Sequence, residues 1–195
     1  MFSIPIRNQK KVIGFDLDGV IIDHTQNKIR VAKELGVLLD ILETPSDILN
    51  GKLERKVTEQ IDKMIYDEPR IALTPPLFPG AKAAISQISK LWPYFLISRR
   101  TANDSAIKLL KTRGLWPKYF NDGNAFFVAT KEDKDKKAIE LGINIYMDDQ
   151  PSVLEKMINV PHRVLLDPLG VYQNSGYYKK ISSWREFLTN LDGIN

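Results

Sequence analysis

The stretch Val12-Ile13-Gly14-Phe15-Asp16-Leu17-Asp18-Gly19-Val20-Ile21-Ile22-Asp23 decides the fold. An apolar run ends in two aspartates with one residue between them, then a glycine. Runs of this kind, with no polar alternation, are buried parallel strands. Two carboxylates at the end of one are costly unless something pairs with them. A divalent cation is the obvious partner, and a carboxylate beside a bound cation can attack phosphorus. Asp-x-Asp alone is common and also describes a strand ending in a solvated acidic turn, so the reading depends on what surrounds it.

Four further short apolar runs read as strands: Tyr94–Ile97, Ala125–Val128, Ile143–Met147 and Arg163–Leu166, in addition to Lys11–Phe15. Helical patterns lie between most of them. Ala81–Lys90 places Ala81, Ala84, Ile85 and Ile88 on one face. Asp104–Thr112 follows a candidate cap, Asn103, and precedes Gly114. Lys134–Leu141 ends at Gly142. Strands alternating with helices predict an α/β fold, a Rossmann-like doubly wound parallel sheet covered on both faces.

Residues 24–77 break the alternation and read as a small all-helical cap inserted into a core domain formed by 1–23 and 78–195. Lys28–Leu35 stops at Gly36. Thr44-Pro45 starts a short helix that stops near Gly51. Lys52–Tyr66 carries Leu53, Val57, Ile61, Met64 and Ile65 at helical spacing, a stripe that reads as core. Pro69, Pro75, Pro76 and Pro79 mark a stiff return. An insertion so close to the two aspartates is placed to cover whatever binds there.

Ligands of open parallel sheets bind at the carboxyl ends of the strands. The first strand ends in Asp16 and Asp18, the second in Ser98-Arg99-Arg100, the fourth in Asp148-Asp149-Gln150. A lysine-rich run, Lys131 to Lys137, opens the helix before the fourth strand. Acids, a hydroxyl and a lysine therefore converge on one edge, and each has a task in phosphoryl transfer. Oxygen-held Mg²⁺ offsets the repulsion between a phosphate dianion and a carboxylate nucleophile. Asp16 can attack phosphorus, and Asp18 can move the proton. Ser98 and the N–H groups after it can hold phosphate oxygens. Gly19 permits a tight turn beside the metal.

In these motifs the chain resembles the haloacid-dehalogenase-like (HAD) superfamily of aspartate-nucleophile phosphohydrolases. Asp-x-Asp-Gly-Val-x-x-Asp stands at Asp16 to Asp23, the strand ending in serine at Phe95-Leu96-Ile97-Ser98, and the strand ending in paired acids at Ile145 to Asp149. Phe78-Pro79-Gly80-Ala81 is similar to the family's lead-in to the second motif. The resemblance implies Asp16 as nucleophile and metal ligand, and Asp18 as acid/base whose backbone carbonyl also touches Mg²⁺. It implies Asp149 as the downstream metal acid, with Asp148 as an outer partner. It also implies a phosphate-site lysine about fourteen residues before the paired acids, which favours Lys134 over Lys136 and then Lys131. The tail Ile181-Ser182-Ser183-Trp184-Arg185-Glu186-Phe187-Leu188 is similar to the ending of the deoxyribonucleotidase-like branch.

Arg99 and Arg100 both follow Ser98. Either could contact phosphate, with Arg99 carried as the candidate; as a pair they read more simply as solvated residues at the start of a helix. His24 and His162 lack metal-ligand spacing, though His24 is placed for a contact from the insertion to substrate. Trp92 and Trp116 read as packing residues.

The rest bounds the answer. With 195 residues and 43% hydrophobic content, the chain suits one globular domain plus an insertion. It has no cysteine, which excludes disulfides, thiolate metal sites and a cysteine nucleophile. No apolar run approaches the roughly 20 residues needed to span a bilayer, and the start lacks a signal-peptide pattern. A cytoplasmic location, no membrane and no nucleic-acid polymer are the expectations, the net charge of +4 being spread along the chain. The expected activity is Mg²⁺-dependent hydrolysis of a small phosphomonoester, nucleoside monophosphates among the candidates, by a monomer or homodimer. A phosphomutase, a phosphonatase using a cap lysine, and a catalytically silent binding domain remain as alternatives.

Overall fold

The computed structural model describes residues 11–100, 103–191 and 193. Six parallel strands form one sheet: β1 (Ile13–Phe15), β2 (Tyr94–Ser98), β3 (Ala125–Phe127), β4 (Ile145–Asp148), β5 (His162–Leu166) and β6 (Lys179–Ile181), in the order β3-β2-β1-β4-β5-β6. The doubly wound α/β sheet is therefore present. Its strand order reverses beside β1, so the crevice for a ligand opens at the carboxyl end of that strand.

Period-two alternation puts both side chains of β1 on one face of the sheet and turns Gly14 to the other. Ile13 and Phe15 pack with α5 (Ala81–Leu91), α6 (Asn103–Thr112) and α9 (Trp184–Leu191) on one face. On the other face Tyr146 packs with Ile97, Ala138 of α7 (Lys131–Glu140) and Val153 and Leu154 of α8 (Pro151–Leu154). Gly14 sits under the Tyr146 ring, where a Cβ would come within 2.4 Å of it. The ring's hydroxyl donates to the Ile97 carbonyl at 2.9 Å. Trp92 and Trp116 pack at the margin of the first core, as their sequence positions suggest.

Between β1 and β2 the chain forms α1 (Thr25–Glu34), a 3₁₀ turn (Ile41–Glu43), α2 (Ser46–Lys52), α3 (Arg55–Asp67) and α4 (Pro69–Ala72). These helices have a core of their own: Val31, Ala32, Leu49, Ile61, Ile65 and Ile71. Side-chain hydrogen bonds tie the insertion to the helices that flank the sheet. Asp47, in the first turn of α2, accepts the Ser152 backbone N–H at 2.9 Å and its hydroxyl. Arg113, just past α6, donates to the carbonyls of Pro75 and Leu73 on the return segment at 2.8 and 2.9 Å.

Several boundaries differ from the sequence reading: α1 starts at Thr25, Pro45 and not Thr44 precedes the first residue of α2, and Asn103 is the first residue of α6. Lys52 ends α2, and the long helix starts at Arg55, because Leu53 and Glu54 are extended between them. α7 starts at Lys131, where Thr130 caps it by accepting the Asp133 N–H. β6 has no apolar run to announce it. Two of its three residues are lysines, as suits a short edge strand.

Candidate active site

The switch point gathers the sequence-predicted residues from four elements. Asp16 follows β1 directly, its backbone N–H donating to the Met147 carbonyl of β4 at 3.0 Å. Asp18 stands two residues on, in a turn closed by Gly19 N–H to Ile22 O at 2.9 Å. Ser98 ends β2 and Asp148 ends β4, both buried, with Asp149 next in the chain. Lys134 enters from the first turns of α7 at 1% exposure, despite sitting in a strongly charged segment.

Lys134 is the cation of the set. Its Nζ lies 2.9 Å from Asp16 Oδ1 and 2.8 Å from Asp148 Oδ2. Lys136 instead pairs with Asp133 at the surface, and Lys131 donates to the Ser152 hydroxyl. Burial works against the Lys134 ammonium, but Asp148 and Asp16 outweigh it and hold its pKa well above the usual lysine value. Burial raises the Asp16 pKa to about 7 against the pull of Lys134, with Asp148 and Asp18 adding to the rise. Burial, then Asp148 and Asp16, push Asp149 well above the carboxylate range.

These carboxylates fit a bound cation. One oxygen each of Asp16, Asp148 and Asp149 lies within 4.8 Å of the others. Asp149 Oδ1 is buried with no hydrogen-bond partner among the described residues, an expensive condition for a polar oxygen. Both Asp148 oxygens are engaged, one by Lys134 and the other by the Gln150 N–H at 3.0 Å. Gly19, at φ 82°, lets the turn close over Asp149: a Cβ there would stand 2.0 Å from Asp149 Oδ2. An all-oxygen, carboxylate-rich set of this kind suits a hard divalent cation.

Asp18 belongs to a different cluster. Arg100 Nε and Nη2 donate to its two oxygens at 2.7 and 2.6 Å, and His24 Nε2 lies 2.7 Å from Oδ1. Tyr66 of α3 covers both partners, 4.6 Å from the guanidinium and 5.3 Å from the imidazole. Burial opposes the Asp18 charge, yet Arg100 and His24 hold the carboxyl well below its usual range. Burial also lowers the His24 pKa against the pull of Asp18, and its Nε2 lies 3.2 Å from Arg100 Nη2 as well.

The reading of Arg99 and Arg100 as a solvated pair is corrected here. Arg100 is buried against Asp18, while Arg99 is half-buried and donates to Gln150 Oε1 at 3.3 Å. No local pattern distinguishes the two, because the partner is 82 residues away. Lys28 of α1 was also passed over in the sequence. It is buried, and its Nζ donates to Thr44 O and Ser46 Oγ at 2.8 and 2.9 Å, fixing the turn before α2.

Two clefts meet at Asp18 and Tyr66. One, of about 460 Å³, is lined by Asp16, Ser98, Arg99 and Arg100 below and by Asn50, Lys63 and Tyr66 of the insertion above. The other, of about 340 Å³, runs past Gly19 and Asp149 between α1 and Ser182-Ser183-Trp184. Trp184 closes its base. The indole Nε1–H donates to Val20 O at 2.9 Å, and the ring lies 5.1 Å from Phe15. The Ser-Trp tail thus braces the loop that carries Asp16 and Asp18.

Known proteins share this architecture. A protein of Oceanobacillus iheyensis named "Putative nucleotidase OB0422" is 23% identical over 191 residues, covering 91% of this chain and 97% of its own length. The haloacid dehalogenase-like family protein SP0104 from Streptococcus pneumoniae superposes with a TM-score of 0.66 at 16% identity, over 93% of this chain and 98% of that one. A HAD family hydrolase from Deinococcus radiodurans R1, with bound phosphate and sodium, gives 0.65 at 15% identity, over 94% and 96%. No protein-family model matches the chain. The fold is that of the haloacid-dehalogenase-like hydrolases. The Asp16–Asp23, Phe95–Ser98 and Ile145–Asp149 motifs stand at or just past the ends of its strands β1, β2 and β4. Among the described residues no helix is long and apolar enough to cross a membrane.

Proposed function

We propose that the chain is a Mg²⁺-dependent phosphomonoesterase acting through an aspartyl-phosphate on Asp16, with residues 24–77 as a cap over a small substrate. The observation that carries this reading is the Asp16–Lys134–Asp148 group with Asp149 beside it. It is a buried set of acids with one fixed cation and one unsatisfied carboxylate oxygen, at the end of β1.

Asp16, Asp149 and the Asp18 carbonyl would hold the cation, with Asp148 behind them engaged by Lys134. When bound, the cation offsets the charge of the phosphoryl oxygens and so lets a carboxylate approach phosphorus. Ser98 and the N–H groups after it hold phosphoryl oxygens, and Arg99 lines the same cleft. Lys134 fixes the Asp16 carboxylate with one oxygen paired and the other available for attack. An Asp16 oxygen bonds to phosphorus, the ester P–O bond breaks, and the departing oxygen takes a proton from Asp18, which has first to take one up from water because Arg100 and His24 hold it ionised at rest. Water then gives a proton back to Asp18 as its oxygen bonds to phosphorus. The Asp16–phosphoryl bond breaks, releasing orthophosphate and restoring the carboxylate.

A nucleoside monophosphate is the substrate class we favour. The named nucleotidase relative and the Ser-Trp brace under the Asp16–Asp18 loop support it. The test is phosphate release from a panel of phosphomonoesters with Mg²⁺, wild type against Asp16→Asn. Activity concentrated on nucleoside monophosphates and lost in the variant is the expected result. Equal release by both proteins would remove Asp16 as nucleophile.

A further inference from the structure

Arg100 is the buried cation that this reaction leaves without a role. Its side chain is part of a residue 6% exposed. Nε and Nη2 are spent on Asp18, but Nη1 is buried and no group among the described residues accepts from it. A buried guanidinium nitrogen left in this way costs more than one hydrogen bond returns. An acceptor from outside the chain is therefore implied.

The surroundings indicate its chemistry. Arg100 lines the cleft of about 460 Å³ that also exposes Asp16 and Ser98, and its backbone N–H lies 3.4 Å from Ser98 Oγ. Arg99 and Lys63 line the same cleft, along with the carboxylates of Asp62 and Asp67 on the insertion, and of these cations Arg100 stands next to Ser98 and Asp18 at its floor. A guanidinium fork matches two oxygens of a tetrahedral oxyanion.

The present partner matters as much. Asp18 Oδ2 accepts from Arg100 Nε, and Oδ1 from both Arg100 Nη2 and His24. A carboxylate covered on both oxygens has neither one turned to a leaving group. The geometry points to Arg100 as a movable oxyanion ligand, held on Asp18 as the structure stands and turning to the phosphoryl oxygens of a bound substrate, which uncovers Asp18. The inference rests on the phosphomonoesterase reading and adds to it a ligand that couples substrate binding to release of the proton-transfer group.

The test is calorimetric titration of inorganic phosphate into the full chain with Mg²⁺ present. Arg100→Gln weakens phosphate binding by about tenfold or more, the worth of one charge-assisted hydrogen bond, and Arg100→Lys recovers part of the loss. Asp18→Asn frees Arg100 from its resting partner and tightens binding. That gain disappears in the Asp18→Asn, Arg100→Gln double variant. Wild-type affinity in both Arg100 variants overturns the inference, as does a gain that survives in full in the double variant, since it then reflects only the lost negative charge. If Arg100→Gln does not fold, Arg100→Lys and Asp18→Asn carry the comparison. Ser98→Ala separates the two levels: weakened phosphate binding there with unchanged Arg100 variants defeats this inference alone. A wild-type protein that binds no phosphate with Mg²⁺ defeats the phosphomonoesterase reading and this inference with it.

Discussion

Lys134 Nζ lies 2.9 Å from Asp16 Oδ1, and both groups are almost completely buried. Removing one member of a buried pair leaves the other charge uncompensated, at about 3–5 kcal/mol. Lys134→Met should therefore lower both activity and stability, with turnover falling at least about a hundredfold from the misplaced nucleophile. Lys136→Ala, which breaks only a surface pair, should change neither measurably. Steady-state kinetics beside urea denaturation will show it, and comparable losses in the two variants would move the functional lysine.

Asp16→Asn should abolish turnover without unfolding the chain. The amide keeps the shape and can still accept from Lys134, and one like charge leaves the crowd formed with Asp148 and Asp149. A melting temperature at or above that of wild type, with no phosphate release, is expected; substantial residual release would sink Asp16 as the nucleophile.

Chelation should silence the enzyme and leave the fold intact, because the sheet and the insertion each have an apolar core independent of the acid cluster. Conversely, Mg²⁺ at a hundred times its dissociation constant adds about 2.7 kcal/mol by linkage. For a chain of this size that raises the melting temperature by roughly 5–10 °C. A thermal melt with and without Mg²⁺ measures this, and an identical melt in Asp149→Asn would place the ion elsewhere.

Gly19→Ala tests the turn over Asp149. A non-glycine residue at a φ of 82° costs on the order of 1–2 kcal/mol, and the added Cβ would displace the Asp149 carboxylate. The variant should stay folded and lose most of its Mg²⁺-induced thermal shift. A full shift would show that Asp149 can hold the ion from another position.

Trp184→Phe keeps a ring against Phe15 but removes the donor to Val20 O. An orphaned buried carbonyl costs about 1–3 kcal/mol. A lowered denaturation midpoint is the expected result, with a weaker Mg²⁺ response because the braced loop carries Asp16 and Asp18. Unchanged values for both would reduce the Ser-Trp tail to ordinary packing.

Much of this was legible before any coordinates. The β1 run, its two aspartates and the acids after β4 are local patterns: burial on both faces forces apolar strands, and a sheet of parallel strands puts their carboxyl ends on one edge. Local patterns likewise gave the helical insertion with its own stripe, whereas Lys134 was singled out by the family resemblance, through its distance from the paired acids. β6 was illegible because an edge strand of two lysines and an isoleucine carries no periodic signal. Arg100 and Lys28 were illegible for another reason. A buried cation is identified by its partner, and the sequence places Arg100 beside Arg99 with equal standing. Asp18 lies 82 residues away on another strand end, and Lys28 meets Thr44 and Ser46 only once the insertion has folded. The chain's local chemistry thus settled which residue types stand at the sheet's edge. Which charges pair there, and which nitrogen is left without an acceptor, was decided only by the packing of α3 and the turns around it, since electrostatic pairing depends on distance in space and not along the chain.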